Sequence, residues 1–179
     1  HKNWWDCETG IAYLVSDGRP FGWRTNRMMQ VFDLSDPTSP RFIRNFGLVG
    51  QEPGATVTPV PSGLHEPTVL GNRVYLAYGT SSNGVFQIVD RDRLLTGDPT
   101  PTPANLLFPQ VGRFDMPPFW GGHTAWAVPG MEIAEYANFR DNKVRDFVVL
   151  VSESTSNECR ETHHPFFMVD TTVESRPFP

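Results

Sequence analysis

The chain has no run of eighteen or more apolar residues, so no membrane-spanning helix is expected from it. It carries a net charge of −5 and has no clustered basic stretch. That disfavours nucleic acid as a partner, because neutralising phosphates requires a basic surface. The nearest approach is Arg19, Arg24 and Arg27 in one loop, read as solvated surface. Long helical periodicities are missing, and no GxSxG elbow, P-loop, GxGxxG fingerprint or HExxH helix occurs. Ser16, Ser152 and Ser154 end strand-like runs without a His and Asp at triad spacing. Only two cysteines are present, Cys7 and Cys159, too far apart for a CxxC redox or zinc motif. They leave two readings open, a disulfide in an exported protein or two buried free thiols.

What is present is turns and short β-like runs. Fifteen glycines and seventeen prolines among 179 residues, with 39 % hydrophobic content, suit an all-β globular domain with many turns. Three histidines, His1, His65 and His123, each head a series of extended segments. After His1 come Asn3-Trp4-Trp5, Ile11 to Ser16, Met29 to Asp33 and Phe42 to Gly47. After His65 come Thr68 to Leu70, Val74 to Gly79, Phe86 to Asp90 and Val111 to Asp115. After His123 come Ala125 to Val128, Phe147 to Ser152, Phe167 to Asp170 and a truncated Ser175 to Phe178. Residues 1–63, 64–122 and 123–179 are thus three units with a period of roughly 60 residues and four strands each, the pattern of β-propeller blades. Between them, Gly47 to Gly63 and the proline-bearing Thr96 to Pro109 read as long connections, and Met131 to Ala137 as a short helix. Asp33, Asp90 and Asp170 end the third strand of each unit, where a carboxylate can accept nearby backbone N–H groups in a turn.

The run Val31-Phe32-Asp33-Leu34-Ser35-Asp36-Pro37, with Gln87-Ile88-Val89-Asp90 and Phe167-Met168-Val169-Asp170 as weaker copies, resembles the LVIVD repeat of bacterial and archaeal cell-surface or exported β-propellers. His65-Glu66-Pro67-Thr68-Val69 and His123-Thr124-Ala125-Trp126 resemble that family's histidine-headed inner strands. The resemblance implies an extracytoplasmic propeller and no single chemistry. Three units fall short of a closed ring of about six to eight blades. The expectation is therefore a segment of a longer protein, its remaining blades supplied by the same polypeptide or another chain.

Strands heading equivalent blades start at similar heights around one axis, so His1, His65 and His123 are expected to converge at a channel mouth. His163 and His164 are candidates for a further ligand there, and Glu66 and Glu161 for orienting the imidazoles. Copper, iron and zinc are the candidate ions. Trp23, Trp120 and Trp126 are candidate contacts to a protein or small ligand, because large flat rings near loops suit stacking. Two functions follow. One is a binding or scaffold module for a protein or small ligand; the other is a metal-dependent oxidoreductase with a histidine-held ion on the propeller axis. The competing reading for each histidine is a backbone hydrogen bond to the next blade, and for each tryptophan packing between blades.

Overall fold

The computed structural model describes residues 2–134, 144–155 and 163–179. It contains three antiparallel sheets in consecutive order. The first is β1 (Trp4–Asp6), β2 (Ile11–Ser16), β3 (Met28–Asp33) and β4 (Arg41–Phe46). The second is β5 (Leu64–Leu70), β6 (Arg73–Tyr78), β7 (Val85–Asp90) and β8 (Gln110–Asp115), and the third is β9 (Thr124–Glu132), β10 (Val144–Val151) and β11 (Phe166–Asp170). Each sheet is a meander in which sequence neighbours pair. Val, Ile, Tyr and Phe fill the strands because their side chains suit a pleated surface.

One expectation needs correction here. Met131 and Glu132 extend β9 and pair with Arg145 and Val144, so they form no helix; residues 135–137 lie outside the described residues. The connection from Thr96 to Pro109 is an ordered crossing, as expected of a proline-bearing connection, and it holds a helix. It follows α1 (Arg91–Thr96), capped by the Asp90 carboxylate on Arg93 N, and contains α2 (Pro103–Leu107), capped by the Thr102 hydroxyl on Asn105 N. Helices this short show no periodicity, but Asp90 and the Thr102-Pro103 pair were the cap signals. The truncated last segment of the third unit contributes one bridge, in which Asp170 and Phe178 exchange backbone hydrogen bonds of 2.7 and 3.2 Å.

The strand-ending aspartates make the local bonds their position calls for. Asp33 accepts from Ser35 N at 2.9 Å and Asp170 from Thr172 N at 2.9 Å, while Asp90 caps α1. Hydrogen bonds from Ser35 and Arg41 hold the Asp33 carboxyl low, at about 2.

The core lies between sheets. Tyr13, Met29, Val31 and Phe46 of the first sheet share one buried cluster with Leu64, Val74, Leu76 and Val89 of the second. Ala77, Phe86 and Ile88 of the second pack on Ala125, Val148, Leu150 and Val169 of the third. The second sheet is thus covered on both faces, whereas among the described residues each outer sheet keeps one face bare. Because directly paired residues share a face, the register Trp126↔Val149↔Met168 and Thr124↔Val151↔Phe166 puts an apolar row on the uncovered face of the third sheet. Trp126 is 54 % and Phe166 66 % exposed there. The row Trp5↔Ala12↔Phe32↔Phe42 does the same on the first sheet, with Trp5 and Phe42 exposed.

Candidate functional site: two ends of the first strands

The first strands β1, β5 and β9 pack side by side and are tied across the sheets. Lys2 N donates to His65 O at 3.4 Å, and the Thr68 hydroxyl donates to Ala125 O at 2.6 Å. At their N-terminal ends the structure brings together His65, Glu66 and His123, with one ligand atom from each lying within 4.8 Å of the others.

A bulge makes this cluster. Leu64 pairs with Tyr78 and Glu66 with Ala77, so His65 is the extra residue in β5. An extra residue breaks the two-sided alternation of a strand and re-aims its side chain. Sequence neighbours His65 and Glu66 can therefore reach the same place, although strict alternation would send them to opposite faces.

Hydrogen bonds fix both imidazoles. His65 Nδ1 lies 3.0 Å from His123 O. A carbonyl only accepts, so Nδ1 carries the proton and Nε2 the lone pair. Burial, with the His123 ring next to it, pushes the His65 pKa down to about 4, so the ring is neutral at pH 7. The two rings lie 4.0 Å apart, centroid to centroid. The Thr124 hydroxyl has one proton, which it donates to Glu66 Oε2, and it accepts from His123 Nδ1 at 2.9 Å. His123 Nε2 then faces Glu153 Oε2 at 3.3 Å. Lys2 Nζ sits 3.5 Å from Glu66 Oε2.

Of the five histidines singled out by the sequence, two meet here. His1 lies outside the described residues, as does Glu161. His163 is exposed, and His164 Nδ1 lies 2.8 Å from the buried Ser152 hydroxyl, which also accepts from Gly121 N. Spacing alone had left Ser152 without a histidine. Glu66, expected to orient a ring from behind, is itself a candidate ligand. Thr124 and Glu153 were missed. The available signal was topological: in an antiparallel pair the residue after β10 lies beside the head of β9, as the Val151↔Thr124 pairing shows.

The other end of the same strands is apolar. Trp4 of β1, Thr68, Val69 and Leu70 of β5, Tyr75 of β6, and Trp126, Ala127 and Pro129 of β9 line a cavity of about 350 Å³. The Trp4 and Trp126 rings lie 6.1 Å apart and inclined by 59°. Trp126 is thus placed as a contact residue requires. Trp23 is not: at 3 % exposure it is part of the core, fitted against Gly18 and Gly47, where an added Cβ would approach it to 2.7 and 3.0 Å. Trp120 packs on Phe167 at 5.2 Å and is half-buried.

The remaining candidates disperse. Arg19 forks onto Asp17, Arg24 donates to Gly50 O and Val57 O, and Arg27 donates to Thr80 Oγ1 at 2.7 Å, so the loop arginines form no common patch. Cys7 is an exposed free thiol, so the buried-thiol alternative does not hold for it, and Cys159, its candidate partner, lies outside the described residues. Among the described residues no helix is long and apolar enough to cross a membrane. No protein-family model matches the chain, and no curated protein matches its sequence.

Proposed function

We propose that the chain is part of a β-propeller of the LVIVD-repeat type, acting outside the cytoplasm as a module that binds a small apolar ligand. The observation that carries the binding reading is the cavity to which the first strands of all three sheets contribute. Its volume falls within the range of small-molecule sites. Among the described residues no charged side chain lines it, and two indoles and a phenol supply flat apolar surface. A neutral ligand of one or two aromatic rings matches that lining.

The propeller reading is supported by the consecutive meanders packed through their first strands and by the two bare apolar faces, each suited to one more sheet. Contiguous exposed apolar surface of this kind marks an interface. The extracytoplasmic location rests on the resemblance of the repeats alone.

Calorimetric titration with p-cresol and 2-naphthol tests the binding reading. Saturable binding that Trp126→Ala weakens at least about tenfold is the expected result. Absence of saturable heat, or binding indifferent to both Trp126→Ala and Trp4→Ala, would overturn it. For the propeller, sedimentation should show concentration-dependent association of the chain through its bare faces. Phe166→Lys should reduce that association; a strictly monomeric wild type would argue that nothing further stacks there.

A further inference from the structure

The end of the first strands opposite the aromatic cavity has donors of another kind, and we infer that His65, Glu66 and His123 form a binding site for one divalent first-row transition ion. The inference is independent of the apolar-ligand reading, since it concerns the other end of the strands and a different probe.

Three features carry it. The first is convergence: one ligand atom from each side chain lies within 4.8 Å of the other two, so side-chain shifts of about 1 Å would bring all three onto a single ion at bond lengths of about 2.0–2.2 Å. The second is orientation. A metal-binding histidine usually gives its other ring N–H to a carbonyl or another acceptor, which fixes the tautomer. His65 does so with His123 O, and His123 does so with the Thr124 hydroxyl. In His65 the nitrogen left with a lone pair is Nε2, whereas His123 Nε2 faces the Glu153 carboxylate, which only accepts, so an ion bound there would replace a proton. The third is the bulge at His65, which lets two successive residues serve one point.

The donor set names the class of ion. Two imidazoles and one carboxylate suit zinc, ferrous iron or copper, whereas calcium and magnesium favour oxygen-only surroundings. Three protein ligands leave a coordination position open, as catalytic centres do. Glu153, at 3.3 Å from His123 Nε2, is placed to occupy it or to accept a hydrogen bond from a water bound there. Because His65 and Glu66 belong to β5 and His123 heads β9, the ion would also staple the second sheet to the third.

The test uses the whole chain, stripped with chelator and titrated with zinc by calorimetry and by thermal melting. The expected result is one ion per chain and a melting temperature raised by about 5 °C in excess zinc. Glu66→Gln keeps an acceptor for Thr124 and should leave the zinc-free melt close to wild type while weakening zinc at least about thirtyfold. His123→Gln should do the same, and Glu153→Gln should cost less, about three- to tenfold. Millimolar calcium or magnesium should not compete. Failure of the folded wild type to take up zinc saturably would overturn the site. So would uptake that survives both Glu66→Gln and His123→Gln, which would place the ion on other histidines such as His163 and His164.

Discussion

The same three strands carry opposite chemistry at their two ends. Where β5 begins, His65 and Glu66 meet His123, Thr124, Lys2 and Glu153 in a chain of hydrogen bonds and ion pairs. Where it ends, Val69 and Leu70 face Tyr75, Trp4 and Trp126 around an apolar cavity. Thr68 stands at the divide, buried and bonded to Ala125 O. Glu66 and Thr68 are two residues apart, about 7 Å along a strand. That short step separates a polar site from an apolar one because each first strand changes residue type partway along, and the sheets stack with those changes aligned.

The sharpest way to break this comparison is to protonate one end. In zinc-free protein His65 stays neutral down to about pH 4, whereas in the unfolded chain it takes up a proton near 6.5. Between those values the unfolded state binds more protons, so stability is fully present above pH 6.5 and falls as pH falls toward 4, by up to about 3 kcal/mol. Urea midpoints at pH 7, 5.5 and 4.5 should show the decline, and His65→Gln should flatten it.

At the other end, Trp4→Ala removes a partly buried indole that packs on the core and faces Trp126. It should cost about 2–3 kcal/mol in the same unfolding measurement, somewhat below the range for a fully buried tryptophan. Zinc affinity should be unchanged, because the indole lies in the apolar cavity, at the other end of the strands from His65 and His123. A fall in both would mean the two ends are one cooperative site.

Thr68→Val probes the divide. The shape is nearly conserved, but Ala125 O loses its donor, and a loss of about 1 kcal/mol is expected. Ligand binding at both ends should weaken only slightly if the ends are separate. Least of all, Cys7→Ser should change stability by less than about 0.5 kcal/mol, since the thiol is exposed and unbridged. A larger loss, or one that appears only under oxidising conditions, would reveal a partner for Cys7.

The strands were legible in the sequence because alternation and turn residues bracket them, and most bounds agree to within one or two residues. The site was legible only in part. Conspicuous histidines at the heads of two units led to His65 and His123, but the bulge that turns Glu66 toward them has no sequence signature. Glu153 contributes only because antiparallel pairing folds the end of β10 back to the start of β9. The tryptophans make the same point. Trp23 and Trp126 looked alike beside small or polar neighbours, yet Gly18 and Gly47 open a core niche for the first, while register assigns the second to the uncovered face of β9. Burial of that kind is decided by packing between sheets.

The most direct measurement is a long-range ¹H–¹⁵N NMR spectrum of the imidazole nitrogens, followed together with the indole N–H signals as zinc is added. Two rings, His65 and His123, should be Nδ1-protonated before zinc and coordinate through Nε2 after it, while the indole signals of Trp4 and Trp126 stay fixed. Coordination through Nδ1, imidazole signals indifferent to zinc, or indoles that shift in step with them would contradict the account of two chemically separate ends.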